Sequence, residues 1–159
     1  MIKVKREQQG ETLILKLSGE VVETIDLAAT VGSTLPDTVL NCKKISRLNS
    51  HGVKDWISFF AAETAKGTRL RFVECSPPVV EQINLIMNFV CGGVIESLYV
   101  PFCCQTCKKN SVCLYRIKDL RRADLDNLHA VCRHCKGKAV FDDIPDEYFL
   151  FFKRGVAVG

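Results

Sequence analysis

Two cysteine pairs near the C-terminal end constrain the fold of this chain more than any other feature. Cys104 and Cys107 form the first C-x2-C pair, Cys132 and Cys135 form the second, and 24 residues separate the pairs. Each pair suits a tight turn that directs both sulfurs at one point, and two such turns complete the tetrahedral sulfur site that Zn²⁺ favours. The spacing predicts one structural zinc ion in a zinc-ribbon-like module that carries an inserted loop or helix.

Two other cysteines and two histidines are alternative ligands for the predicted zinc ion. Cys103 could replace Cys104 at x3 spacing, although the tighter pair fits such a turn better. The weaker candidates are His134, His129 and Cys113. Disulfides or free thiols are further alternatives, but nine cysteines is an odd number, which argues against a disulfide framework. A redox sensor that loses zinc when its thiols oxidise is a separate hypothesis.

Composition places the chain among globular proteins. Of its 159 residues, 47% are apolar and 25% are charged, which excludes intrinsic disorder, collagen and coiled coil. The longest uncharged stretch, 14 residues between Glu81 and Glu96, is too short and too polar to cross a bilayer. The opening MIKVKREQQGE has no apolar core after its positive charges, so we expect no secretory signal. We therefore expect a soluble cytoplasmic protein with no membrane partner.

Charge and aromatic residues divide the chain near residue 99. Residues 1–99 contain 11 basic and 11 acidic residues, whereas residues 100–159 contain 11 and 7. We predict a first domain over 1–99 and a metal-binding module over 100–159, which ends in an aromatic-rich segment around Phe141 and Phe152. The basic residues of the module suggest nucleic-acid binding as an alternative function, although interspersed acidic residues favour a solvated face. The nine basic residues that surround the cysteine pairs are Lys108, Lys109, Arg116, Lys118, Arg121, Arg122, Arg133, Lys136 and Lys138.

Hydrophobic periodicity over residues 1–99 predicts strands that alternate with helices. The pattern indicates strands over 2–7, 12–20, 38–42, 69–75 and 94–100. It indicates helices over 23–31, from Asn49 or Ser50 to Gly67, and from Ser76 through Met87. The second helix presents an apolar stripe at Val53, Trp56 and Phe60. This order predicts an α/β fold, a small mixed sheet with helices packed on it.

One segment of the first domain resembles a known family. Between Leu40 and Trp56, an apolar strand and a loop lead into Asn49-Ser50-His51-Gly52 at the start of a helix. Here the chain resembles the STAS domain of anti-sigma factor antagonists, whose pattern at this place is roughly Asp-Ser-Ser/Thr-Gly-Leu. Gly52 and Val53 match the end of that pattern, and Gly19-Glu20-Val21 resembles the Gly-Glu-Leu that ends an early strand of the family.

The resemblance implies a STAS-like fold and a regulatory function. Ser50 stands at the position of the family's phosphorylated serine. In that family, the unphosphorylated protein binds an anti-sigma factor with serine kinase activity, and phosphorylation releases it. The chain departs from the family pattern at Val22, Asn49 and His51. The resemblance implies a partner-binding surface formed by Glu20, Glu23, Asn49, Ser50, His51, Gly52, Val53 and Lys54.

Elementary electrostatics gives Ser50 two alternative roles. A helix N-terminus presents free backbone N–H groups and a positive dipole end, so it suits a phosphate on Ser50, with Lys54 one turn away. Alternatively, Asn49 or Ser50 is a simple N-cap. We find no Ser-His-Asp order, glycine-rich phosphate loop or paired carboxylates in an apolar setting, so we predict a protein that is not an enzyme.

Overall fold

The computed structural model describes residues 1–22 and 25–159, which form a mixed α/β structure. Its first sheet has five strands in the spatial order β1-β2-β3-β4-β5. β1 and β2 are antiparallel, and the other neighbouring pairs are parallel. The strands are β1 (Lys3–Gln9), β2 (Thr12–Val21), β3 (Asp37–Leu48), β4 (Arg69–Val73) and β5 (Val94–Ile95). The predicted α/β class is therefore confirmed.

Three helices connect the parallel strands of this sheet. They are α1 (Leu27–Val31), α2 (Ser50–Ala65) and α3 (Pro77–Leu85). The predicted stripe of α2 is buried, and Trp56 stacks on Phe89 with ring centroids 5.2 Å apart. From β2, the alternating residues Leu13, Leu15 and Leu17 enter the same core, as their spacing predicts. Helix α1 begins after Asp26; positions 23 and 24 of the predicted helix lie outside the described residues.

The end of β2 and the start of α2 are in direct backbone contact. The N–H of Asn49 donates to the carbonyl of Val21 at 3.1 Å, at the point where β3 ends. Any Cβ on residue 52 would overlap that same carbonyl, so only glycine permits this approach. The contact explains the glycine of the helix-start motif on structural grounds, and it holds the loop after β2 beside the first turn of α2.

The second sheet is antiparallel and contains both cysteine pairs. Its spatial order is β7-β6-β9-β8. The strands are β6 (Ser97–Cys104), β7 (Asn110–Arg116), β8 (His129–Val131) and β9 (Lys138–Phe141). Short helices complete this part of the chain: α4 (Ile117–Leu120), a 3-10 turn (Leu125–Asn127), α5 (Pro145–Tyr148) and α6 (Leu150–Lys153).

The two sheets meet just after β4. The N–H of Cys75 donates to Ser97 O at 3.1 Å, and the N–H of Tyr99 donates to Cys75 O at 2.9 Å. Side chains support this junction, because the Tyr99 hydroxyl donates to Glu74 at 2.8 Å. Buried residues of both sheets belong to one continuous hydrophobic core. The cysteine-rich module is therefore packed on the first sheet through shared backbone and core contacts.

The prediction of a single strand over 94–100 is wrong. The segment forms β5 in the first sheet and then β6 in the second, and β6 continues through Pro101 to Cys104. The change occurs at Glu96, whose N–H donates to Phe72 O and whose carbonyl accepts from the N–H of Ile117. On either side of Glu96, Ile95 pairs with Phe72 of the first sheet and Ser97 pairs with Arg116 of the second, so this segment is divided between the two sheets. The predicted domain boundary after residue 99 falls inside β6.

Helix α3 is shorter than predicted. It ends at Leu85 because Ile86 adopts an extended conformation, and Met87 is 69% exposed. The buried residues that follow, Phe89 and Val90, enter the core from a turn. The helical spacing of Met87 therefore did not reflect burial. Among the described residues we find no helix with the length and apolar character that crossing a membrane requires.

The aromatic C-terminal segment packs against α3. Asn84 of α3 donates its side-chain amide to Tyr148 O at 2.7 Å and accepts the N–H of Phe151 at 2.9 Å. Phe149 and Phe151 are buried. Beyond α6, Ala157–Gly159 runs beside β5: the N–H of Ile95 donates to Ala157 O, and the N–H of Gly159 donates to Ile95 O. The end of the chain thus covers the short outer strand of the first sheet.

Replacing Gly52 tests the contact between β2 and α2. We expect Gly52→Ala to lower the free energy of unfolding by about 1–3 kcal/mol, because the added methyl group forces the helix away from Val21. Ser58→Ala, at an exposed site on the same helix, should change it by less than about 0.5 kcal/mol. Urea denaturation followed by circular dichroism measures both, and equal stability of the two variants would contradict the contact.

Candidate functional site

Four sulfur atoms converge at the end of the second sheet. The Sγ atoms of Cys104, Cys107, Cys132 and Cys135 all lie within 4.8 Å of one another. Cys104 Sγ is 3.5 Å from Cys135 Sγ, and Cys107 Sγ is 3.7 Å from Cys132 Sγ. A tetrahedral ion with metal–sulfur bonds of about 2.3 Å requires sulfur–sulfur separations of about 3.8 Å. The cluster therefore has the size and the donor set to bind a metal ion.

Two equivalent turns hold the four cysteines. In the first turn, Lys108 N donates to Cys104 O at 3.1 Å; in the second, Lys136 N donates to Cys132 O at 2.9 Å. Each turn is closed at its base by the N–H of its first cysteine, which donates to Lys109 O or Gly137 O. Pairing of β6 with β9 sets the two turns side by side. The antiparallel sheet thus supplies the geometry of the cluster.

Both turns require an unusual backbone conformation. Lys108 has a φ of 62° and Lys136 a φ of 63°, in the left-handed region where a side chain costs about 1–2 kcal/mol. Each lysine directly follows the second cysteine of its pair. The sequence analysis named both lysines only as basic residues and did not predict their backbone conformation, for which their shared position after each pair was the only available signal.

Backbone N–H groups also point at the sulfurs. Cys104 Sγ accepts from the N–H of Cys107 at 3.5 Å, Cys132 Sγ from that of His134 at 3.4 Å, and Cys135 Sγ from that of Gly137 at 3.4 Å. The Cys107 N–H is the main reason that the pKa of the Cys104 thiol falls to about 6, and similar bonds from Cys135 and His134 lower the pKa of Cys132. These bonds favour the thiolate form, which binds a metal ion, at Cys104 and Cys132. At Cys107 a bond from the Lys109 N–H lowers the pKa of the thiol, but desolvation and hydrogen bonds with the neighbouring cysteines outweigh it and raise this pKa to about 11.

The remaining candidate ligands lie outside the cluster. Cys103 precedes Cys104 on β6, and successive side chains of a strand point to opposite faces. Its sulfur lies 3.8 Å from Lys108 O. His134 contributes its backbone N–H to the site. All nine cysteines are free thiols, and the sulfur separations in the cluster far exceed a disulfide bond of about 2.05 Å.

The helix-start motif forms a second site, on α2. Asn49 is the N-cap, and its side-chain oxygen accepts the N–H of Gly52 at 3.0 Å. Ser50 is the first residue of the helix and is exposed, as are His51 and Lys54. Because Asn49 takes the capping role, the Ser50 hydroxyl is not needed for it. The exposed serine therefore stands beside helix N–H groups that have no acceptor within the helix.

Other residues of the predicted binding surface have different environments. Gly52 and Val53 are buried, so they pack beneath the exposed residues of α2 and do not form part of the surface. Glu20 is half-buried and lines a cavity of about 420 Å³ with Val22 and Ile25. Residue Glu23 lies outside the described residues. Sequence reasoning missed Asp55, which accepts the N–H of Ile25 at 2.9 Å and ties this loop to α2.

The nine basic residues named above around the cysteine pairs are all exposed. Three of them make local contacts: Arg116 pairs with Asp119 at 2.9 Å, Arg121 donates to Val158 O, and Arg133 donates to Val112 O. Of the others, Lys118 lies in α4 and Arg122 follows it, and the rest lie in the cysteine turns or at the start of β9.

Comparison of the chain with protein-family models and with curated proteins gave no match.

Exchanging one cysteine for serine distinguishes the ligands from their neighbour. We expect the wild type and Cys103→Ser to bind one equivalent of metal, and Cys104→Ser to lose it. In zinc-finger peptides a bound metal contributes roughly 10–16 kcal/mol to folding, so Cys104→Ser should also unfold the second sheet. Elemental analysis and native mass spectrometry measure the metal, and limited proteolysis reports the unfolding. Loss of metal from Cys103→Ser alone would reverse the assignment.

Proposed function

We propose that this chain is a non-enzymatic regulatory protein of STAS-like fold that changes partners when Ser50 is phosphorylated. The observation that carries this proposal is the exposed Ser50 at the first position of a 16-residue helix whose cap is supplied by another residue. The order of strands and helices in the first sheet and the motif around Gly52 support the STAS-like assignment.

A phosphate at this position changes the local charge sharply. It adds about −1.5 to −2 charges beside the backbone N–H groups and the positive dipole end of α2. Lys54, exposed one turn further along, adds a cation within the same surface. The phosphate is therefore stabilised by the helix, while a partner that docks on the neutral surface meets new negative charge. Both effects act on binding and leave the core of the protein unchanged.

The elements around Ser50 favour a switch that acts on the surface. The Val21 carbonyl contacts the start of α2, and Asp55 holds the preceding loop, so the two segments form one rigid unit. Its exposed part consists of Ser50, His51 and Lys54 beside half-buried Glu20. By resemblance, the partner is an anti-sigma factor or a related serine kinase. Asn49 and Val22 replace acidic residues of the family pattern, so the partner's contact surface is expected to be less basic.

The cysteine cluster completes the proposal as a structural zinc site in a zinc-ribbon-like module. Four cysteine sulfurs supply every ligand of a tetrahedral ion, and this soft donor set suits Zn²⁺. A site with four protein ligands has no open position for substrate, which supports a role in stability. The zinc ion would hold the turns that end β6 and begin β9.

Charge substitution at Ser50 tests the switch. Wild type, Ser50→Ala, Ser50→Asp and Ser58→Asp should be used as baits in the same lysate, with captured proteins quantified by mass spectrometry. We expect a partner that binds the wild type, Ser50→Ala and Ser58→Asp but is lost with Ser50→Asp. Ser58 is the matched control because it is exposed on the same helix. Retention of every partner by Ser50→Asp contradicts the switch.

Stability measurements on the same variants separate a switch from a folding defect. A negative charge at the first helical position should raise the free energy of unfolding by about 0.3–1 kcal/mol, whereas the same charge in mid-helix should not. Ser50→Asp that loses its partner while it remains at least as stable as the wild type supports the proposal. Destabilisation of Ser50→Asp would instead explain the loss of binding by disturbed folding.

Nucleic-acid binding is a second candidate function, favoured by the exposure of the nine basic residues around the cysteine pairs. Binding to phosphates should weaken steeply as salt rises. We expect Lys118→Ala with Arg122→Ala to reduce retention of labelled DNA or RNA on filters at low salt, and Lys3→Ala with Lys5→Ala on β1 to leave it unchanged. If the wild-type protein retains neither nucleic acid at low salt, this function is excluded.

A further inference from the structure

A groove distinct from both sites lies between α3 and the segment from Asp142 to Leu150. Its volume is about 680 Å³. Apolar residues from three parts of the chain line it, among them Pro77 and Leu85 from α3 and Pro101 from β6. The groove therefore forms only where the first sheet's last helix, the second sheet and the aromatic segment come together.

The walls of this groove are held in place. Asn84 bonds to the backbone of both Tyr148 and Phe151, and Arg154 donates to the carbonyl of Asn84. Tyr148 is buried, and its hydroxyl donates to Tyr99 O. Because these contacts connect α3 to the aromatic segment, the groove is preformed and a ligand would not have to open it.

Carboxylates surround the apolar floor. Five acidic residues line the groove, although the whole chain has a formal net charge of +4. Only Asp146 has a cationic partner in the described part of the chain, namely Lys153 at 2.9 Å. The other four are Glu81, Asp142, Asp143 and Glu147. This concentration of unpaired negative charge is complementary to a cationic ligand.

Apolar side chains line the same groove. Leu85 on the groove wall is 65% exposed, and Pro77, Pro101 and Leu150 add apolar surface to the lining. A simple cation would leave these side chains in water, and a purely apolar ligand would leave the carboxylates without partners. The combination matches a chain segment with one apolar face and one basic face.

We propose that the groove binds a basic amphipathic helix of a partner protein. The apolar face of the helix packs on Leu85, Pro101 and Leu150, and its Lys or Arg side chains reach the carboxylates along the rim. This interaction is independent of Ser50 and of the cysteine cluster, since the residues that line the groove belong to neither site.

Two designed peptides test the proposal on the whole 159-residue chain with metal added. The first is a fluorescein-labelled amphipathic helix made of Leu and Lys, and the second has Glu at every Lys position. We expect saturable binding of the Leu/Lys peptide in fluorescence anisotropy, no binding of the Leu/Glu peptide, and weaker binding at higher salt. Equal binding of both peptides, or no binding of either, would overturn the proposal.

Paired variants locate the binding surface. Asp143→Asn with Glu147→Gln should weaken binding of the Leu/Lys peptide about three- to tenfold, as expected for two exposed ion pairs. Asp124→Asn with Asp126→Asn removes the same charge at exposed sites outside the groove and should change affinity less than about twofold. Leu85→Ser should weaken binding, and Val131→Ser, at a 73% exposed site of the second sheet, should not. Equal effects of the groove and control variants would show non-specific attraction and reject the groove.

Discussion

The backbone hydrogen bonds between Cys75 and β6 join the two sheets, and the arrangement of the rest of the molecule depends on them. Cys75, which lies just after β4 of the first sheet, is hydrogen-bonded to Ser97 and Tyr99 of β6, and β6 continues to Cys104. A module held only by a metal ion would be free to move on a linker. Here the four cysteines that could bind a metal ion lie at one end of β6, and the other end of β6 is buried in the core of the α/β structure. Packing therefore already holds this part of the chain at the end opposite the cysteine cluster.

Local patterns in the sequence predicted much of this architecture. The alternating leucines of β2, the apolar stripe of α2 and the two cysteine pairs each depend on neighbours close in the chain, and each prediction agrees with the structure. The division of residues 94–104 between two sheets depends on Phe72 and Ile117, which are distant in sequence, so no local pattern could reveal it. The positive φ of Lys108 and Lys136 was missed for a different reason, because lysine as a residue type does not indicate that conformation.

The surfaces around this core differ in character and in place. The start of α2 has an exposed serine and Lys54, the second sheet has basic side chains around its sulfur cluster, and five carboxylates line the groove beside α3. Charge is therefore distributed unevenly over a chain whose formal net charge is +4. A ligand that the carboxylates of the groove attract would be repelled by the basic side chains around the cysteine cluster.

The last residues of the chain have a consequence beyond packing. By pairing with Ile95, Ala157–Gly159 occupies the outer side of the two-residue strand β5, while the opposite outer strand, β1, carries Lys3, Lys5 and Arg6. An open, uncharged sheet border is the usual template for strand-by-strand self-association into fibrils. One border of the first sheet is covered and the other is charged, so neither offers an open, uncharged template for such association.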